Sequence, residues 1–277
     1  MSEAFSIMLW PFLACLLLPG ILVYMGLHVV RREIIFVDLA LAQVAAMGIC
    51  LAIVLGHDAH DWQTIAWSAG FTFIGAAVLT LTRSSDRNVP QEAFIGIIYV
   101  IAAAAGLLLL SHSPEGNEEL RRTLVGEMLL VRPGGVLHTF AIFVAVGVVH
   151  IIFRRQFMLL SFNPKEGRPQ SLRLWFWDFL FYVLFGVVVT SFVRIGGVLL
   201  VFSYLIIPAV SARLLVTSLP AQIAVGWIVA TVSSVVGLYC SYLLDLPTGA
   251  AIVCALGLAL LLVTLARGET PGRARPG

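Results

Sequence analysis

Asp38 and Gln43 stand inside an otherwise apolar stretch, RREIIFVDLALAQVAAMG at 31–48. Their neighbours are small: Ala40, Ala42, Ala45, Ala46 and Gly48. A lipid-facing helix is bulky and apolar all round, whereas small residues with isolated polar groups line helix contacts or a polar pathway. The Asp38 carboxylate can neutralise a cation. Gln43 offers a neutral amide oxygen, which suits hard cations better than zinc. Five residues of separation place the two roughly 140° apart on a helix, so they are not a one-face pair. Two readings of Asp38 stand: a translocation-pathway carboxylate, or a group near the helix end that snorkels or pairs with Arg31 or Arg32. Gln43 stands between a pathway contact and a helix–helix hydrogen bond.

Two further groups could do chemistry. GHDAHDW at 56–62 packs His57, Asp58, His60 and Asp61 into five residues. Imidazole and carboxylate that close together can hold zinc or manganese loosely at a pore mouth; the alternative is a polar interfacial turn between two spans. In SFNPKEGR at 161–168, Asn163 can cap a short helix with Pro164 at its first position and Glu166 at its third. Lys165 completes this candidate lever; the alternative is a basic loop that only sets topology. Asp178 is expected to pair with Arg173 or Arg168, or else to sit near the cytoplasmic mouth. His28, His138 and His150, near span ends, read as interfacial.

The elements that must carry these groups are membrane spans. Of 277 residues, 60% are hydrophobic and 12% charged, with a mean hydropathy of +1.00. The long apolar runs predict an all-α polytopic membrane helix bundle of nine transmembrane helices: 5–27, 36–55, 63–82, 93–111, 136–153, 174–192, 195–212, 221–243 and 248–266. The sixth and seventh are joined only by Val193–Arg194, and Pro208 interrupts the seventh. Residues 1–266 form one transmembrane domain, followed by a polar, disordered tail at 267–277. Arginines concentrate in loops 28–35, 83–92 and 154–173 and in the tail. With nine spans these share one side, which puts the C-terminus in the cytoplasm and the N-terminus outside. Lys165 is the only lysine, so the chain holds no GxxxxGK[ST] phosphate loop and is not its own P-loop ATPase. Cys15, Cys50, Cys240 and Cys254 all lie in apolar runs and read as small packing residues without a disulfide framework. The scattered arginines give no nucleic-acid surface. No HExxH, paired carboxylates or Ser/His set lies within the spans, which argues against an intramembrane enzyme.

Three segments, read together, resemble a known family. They are RREIIFVDLALAQVAAMG at 31–48, FMLLSFNPKEGRPQSLRLWFWD at 157–178, and RIGGVLLVFSYLIIPAVSARLL at 194–215 with SYLLDLPTGAAIV at 241–253. EAFIGIIYVIAAAAGLLLLS at 92–111 is similar to that family's fourth span. The pattern resembles the ABC-3 permeases of bacterial zinc, manganese and iron importers over nearly the whole chain. The resemblance implies a multi-pass permease of the bacterial cytoplasmic membrane, moving a divalent metal as cargo with no stably bound cofactor. It implies a second permease subunit, two cytoplasmic ATPase subunits and an extracytoplasmic solute-binding protein. Asp38, Gln43 and Pro208 are the candidate translocation-pathway residues, and the resemblance assigns Asn163, Pro164, Lys165 and Glu166 to ATPase coupling. The family's second span carries an Asp and a His four residues apart. Leu39 and Gln43 occupy those positions here, and Met47 replaces the usual proline. That departure keeps a metal chelate or other small solute open as cargo. A secondary transporter without an ATPase is a further alternative.

Overall fold

The computed structural model describes residues 3–57, 61–82, 89–111, 126, 128, 131–162 and 172–268. Within them the chain is helical: α1 (Glu3–Leu17), α2 (Pro19–Arg32), α3 (Val37–Val54), α4 (Trp62–Leu81), α5 (Gln91–Leu110), α6 (Pro133–Ile152), α7 (Arg154–Phe162), α8 (Leu172–Leu215), α9 (Leu219–Leu244) and α10 (Thr248–Gly268). Nine stretches among the described residues are long and apolar enough to cross a membrane. Large apolar side chains stay exposed along α4, α5, α6, α9 and α10, among them Trp62, Leu108, Ile151, Tyr239 and Leu265. Such a surface fits a hydrocarbon solvent and not water. The chain is a multi-pass membrane protein.

Three boundaries differ from the sequence expectation. The first span runs from Leu9 to Arg32, five residues beyond the expected end at 27. It bends where Pro19 begins α2 and stops where Glu33 turns left-handed at φ 58°. His28, Arg31 and Arg32 therefore belong to a helix and not to a loop. The expected loop at 154–173 begins instead with the short helix α7. The sixth and seventh spans form one unbroken assignment, α8, with Gly197 inside it at φ 74°, ψ 165°. Only glycine reaches that region without strain.

The chain doubles back at Gly197. The rings of Phe192 and Tyr204 lie 5.8 Å apart. Twelve residues of straight helix would separate them by about 18 Å. The two limbs of α8 form the centre of the bundle, and α2, α3, α4, α6, α7, α9 and α10 all pack against it. Fully buried Phe181, Tyr182, Phe185, Phe192 and Tyr204 fill that centre. The second limb also holds a polar contact, Tyr204 Oη to Ser234 Oγ at 2.5 Å. α5, by contrast, rests mainly on α3. Consecutive spans alternate in direction. The end of the first span, the starts of the second, fourth and sixth, and the end of the fifth therefore meet at one end of the bundle.

Close backbone approach brings α2 against α8. A Cβ on Gly26 would strike the Leu205 carbonyl, whereas one on Gly96 in α5 would meet nothing within 4 Å. Overpacking a tight contact costs about 1–3 kcal/mol. Gly26→Ala should lower the thermal unfolding midpoint in detergent, while Gly96→Ala leaves it level or raises it, because alanine is the better helix former. Equal midpoints for the two variants would contradict this packing.

Candidate functional site

The end of the bundle that bears Arg31 and Arg32 holds a buried acidic group, Asp38, and a half-buried one, Glu92, on neighbouring helices. Residues 33–36 turn the chain from α2 into α3, and Asp38 falls in the first turn of α3. The positive end of the helix dipole favours a carboxylate there. Asp38 is only 2% exposed, and both its oxygens are buried with no hydrogen-bond partner among the described residues. It neither snorkels nor pairs with arginine. Arg31 is exposed and lies over the Phe162 ring at 5.2 Å; Arg32 is engaged elsewhere.

Glu92, in the first turn of α5, is the second acidic group. One of its oxygens, Oε1, accepts the backbone N–H of Ile35. The other, Oε2, is buried with no hydrogen-bond partner among the described residues. Glu92 thus ties α5 to the turn before α3 and brings its charge within electrostatic reach of Asp38. The sequence reading passed over it as the end of a loop. The available signal was an acidic residue two positions after Pro90, at the opening of an apolar span.

Gln43 is half-buried on α3, between the buried Ala42 and Val44. Pro208 is buried in the second limb of α8. Its carbonyl faces α9, where a Cβ on Gly226 would come within 3.2 Å of it and within 2.5 Å of Val23 Cγ1 in α2. Pro208 therefore marks the meeting of α2, α8 and α9.

A second polar knot lies where α2, α7 and α8 meet. Arg32 Nη1 donates to Asp178 Oδ1 at 3.0 Å, with the two side chains 5% and 3% exposed. Asp178 thus pairs with a residue of the first span, in a contact that joins helices 146 positions apart; Arg168 and the Arg173 side chain lie outside the described residues. Arg32 Nε also donates to Ser161 Oγ at 2.7 Å, and His28 Nδ1 lies 2.7 Å from the same oxygen. His28 and His150, expected at the interface, are buried together, with ring centroids 6.5 Å apart and Tyr24 beside both. His150 stacks on Phe157 of α7 at 4.3 Å.

The profile of the ABC 3 transport family matches residues 4–267. The chain belongs to this family. It is 28% identical over 207 residues to the manganese transport system membrane protein MntC of Listeria innocua, covering 72% of this chain and 74% of that one. It is 23% identical over 237 residues to the manganese import system permease protein ScaB of Streptococcus gordonii, covering 86% and 83%. The fold matches PsaBC from Streptococcus pneumoniae, solved in complex with Fab, with a TM-score of 0.76 at 22% identity over 94% of this chain and 91% of that one.

In this ABC 3 family chain, Leu39 and Gln43 share one face of α3 at four-residue spacing, and both are half-buried. Asp38 is the next residue round the helix. Among the described residues, no three His, Cys, Asp or Glu side chains come together as a metal group. Of the His57–Asp61 cluster, Asp58 and His60 lie outside the described residues. His57 closes α3, its N–H bonded to the Ala52 carbonyl at 3.0 Å, and Asp61 precedes α4. Asn163, Pro164, Lys165 and Glu166 also lie outside the described residues, as does the tail beyond Gly268.

The two aspartates should answer oppositely to neutralisation. Removing one partner of a buried ion pair costs about 3–5 kcal/mol, so Asp178→Asn should sharply lower the unfolding midpoint in detergent. Asp38 has no hydrogen-bond partner to strand among the described residues, and a buried unpaired carboxylate is itself costly. Asp38→Asn should hold or raise the midpoint. A loss at Asp38 as large as that at Asp178 would show that Asp38 is held by a partner.

Proposed function

We propose that this chain is the membrane-spanning permease subunit of an ABC importer in the bacterial cytoplasmic membrane. Its cargo is a divalent metal ion: manganese, zinc or iron. Its N-terminus lies outside and its C-terminus in the cytoplasm, as the arginine-rich loops support. The observation that carries this reading is Asp38. A buried carboxylate with no hydrogen-bond partner among the described residues, inside a span of a family whose relatives are named for manganese transport, is suited to receive a passing cation. Gln43 and the Leu39 face continue the same helix toward the other side, and Pro208 belongs to the pathway as a helix interruption. The chain has no phosphate-binding loop, so ATP hydrolysis falls to two separate subunits. A second permease subunit completes the pore, and an extracytoplasmic binding protein delivers the ion. His57, Asp58, His60 and Asp61 form the outer collecting cluster in this reading, and Asn163–Glu166 meet the ATPase.

One observation favours a second cargo. Leu39 provides no ligand at all, and Gln43 provides only an amide, which binds zinc more weakly than imidazole does. A chelated metal, shielded by its own ligands, needs less from the helix.

The test is ATP-driven uptake in proteoliposomes containing the chain and its ATPase subunits, with Mn²⁺, Zn²⁺ and Fe²⁺ in competition. Loss of a charged contact costs about 1.5–3 kcal/mol. Asp38→Asn should therefore reduce uptake roughly tenfold or more while the ATPase still co-purifies. Undiminished uptake would remove Asp38 from the pathway. Uptake of a metal chelate with no response to the three free ions would favour the second cargo. A chain that never co-purifies with an ATPase would end the ABC reading.

A further inference from the structure

Arg32 joins three helices through one rigid group. Its Nε donates to Ser161 Oγ, the penultimate residue of α7, at 2.7 Å. Its Nη1 donates to Asp178 Oδ1, near the start of α8, at 3.0 Å. Its guanidinium carbon sits 3.9 Å from the centroid of the Phe181 ring, and its own backbone ends α2. The donors of a guanidinium are fixed in one plane, so these contacts set an angle as well as a distance. A lysine could not hold both partners that way. His28, one turn back on α2, adds a second contact to Ser161 at 2.7 Å, so α7 is tied to α2 twice.

This arrangement exceeds what topology requires. An arginine that only orients a membrane helix keeps its head at the interface. Here the head is drawn inside at a desolvation cost. Asp178 neutralises the charge, but the further group it gains is Ser161, which carries no charge to neutralise. The gain is therefore positional: the short helix α7 becomes fixed to the first and sixth spans.

We propose that Arg32, with Ser161 and Asp178, is a positioning linkage that converts displacement of α7 into movement of the first and sixth spans. This rests on the reading that residues 163–166, which directly follow α7, meet the ATPase. The linkage determines how much transport each round of hydrolysis yields.

The experiment measures ATP hydrolysed per ion taken up by the complete complex in proteoliposomes, with co-purification of the ATPase as the assembly control. Ser161→Ala removes the shared acceptor without stranding a full charge, and Arg32→Lys keeps the charge but loses the fork. Both should keep the ATPase bound and raise the ATP-to-ion ratio roughly fivefold or more, the scale of an ordinary coupling between sites. Ser161→Thr, which retains a hydroxyl, should stay at the wild-type ratio. An unchanged ratio in Ser161→Ala and Arg32→Lys would overturn the linkage, as would uptake that falls only in step with lost assembly. A wild-type chain that holds no ATPase would instead overturn the reading beneath it.

Discussion

A charge drawn into the interior of a membrane protein must find its counter-charge there, because lipid offers none. The pair Arg32–Asp178 satisfies that constraint, and much of the surrounding geometry follows from it. It holds the end of the first span beside the start of the sixth. It lets α2 continue to Arg32 instead of stopping before its basic residues. It also places the Ser161 hydroxyl, and with it α7, against both helices. Asp38 obeys the opposite logic. It lies at the same end, buried, with neither oxygen hydrogen-bonded among the described residues. One aspartate fixes structure because it is neutralised; the other, in the proposed reading, is kept for a passing cation.

The framework that holds both is α8. Without the reversal at Gly197 the sixth and seventh spans would form one rod, and no central hairpin would exist for the other helices to surround. The reversal needs a backbone conformation closed to residues with a Cβ, and a glycine supplies it. From there the packing is a matter of close contact. Gly26 lets α2 reach the Leu205 carbonyl, and Gly226 lets α9 reach Pro208. In a bilayer, where lipid is as apolar as leucine, such close approach does the work that the hydrophobic effect does in water.

The span pattern was legible in the sequence because hydropathy reports directly on the solvent a helix meets. All nine spans sit within a few residues of their expected places, except the C-terminal end of the first. That exception is instructive. His28, Arg31 and Arg32 read locally as a polar loop, and only a partner in a distant helix, Asp178, makes a buried continuation possible. The same blindness hid the burial of His28 with His150 and the docking of Glu92 on the turn before α3. Each is a contact between segments far apart in sequence, and no local pattern encodes the partner. Asp38 was visible as an anomaly, since a lone carboxylate in an apolar helix is conspicuous. What the local pattern left open was its partner, and the bundle answers that neither Arg31 nor Arg32 takes it.

These contacts also separate two tasks that one end of the bundle must perform. A pathway carboxylate works only if nothing nearby neutralises it permanently, yet the same region carries two arginines from α2. The solution is geometric. Arg32 turns toward α7 and α8, where Asp178 and Ser161 occupy it, and Arg31 lies outward over Phe162. Among the described residues, neither arginine of α2 pairs with Asp38 or Glu92. In the proposed reading, this keeps the α2 charges off the acidic groups that a cation would meet. Breaking the Arg32 knot therefore has two consequences: it loosens α7, and it frees a guanidinium that could turn toward Asp38. In the proposed reading, mechanical linkage and electrostatic selectivity depend on the same side chain.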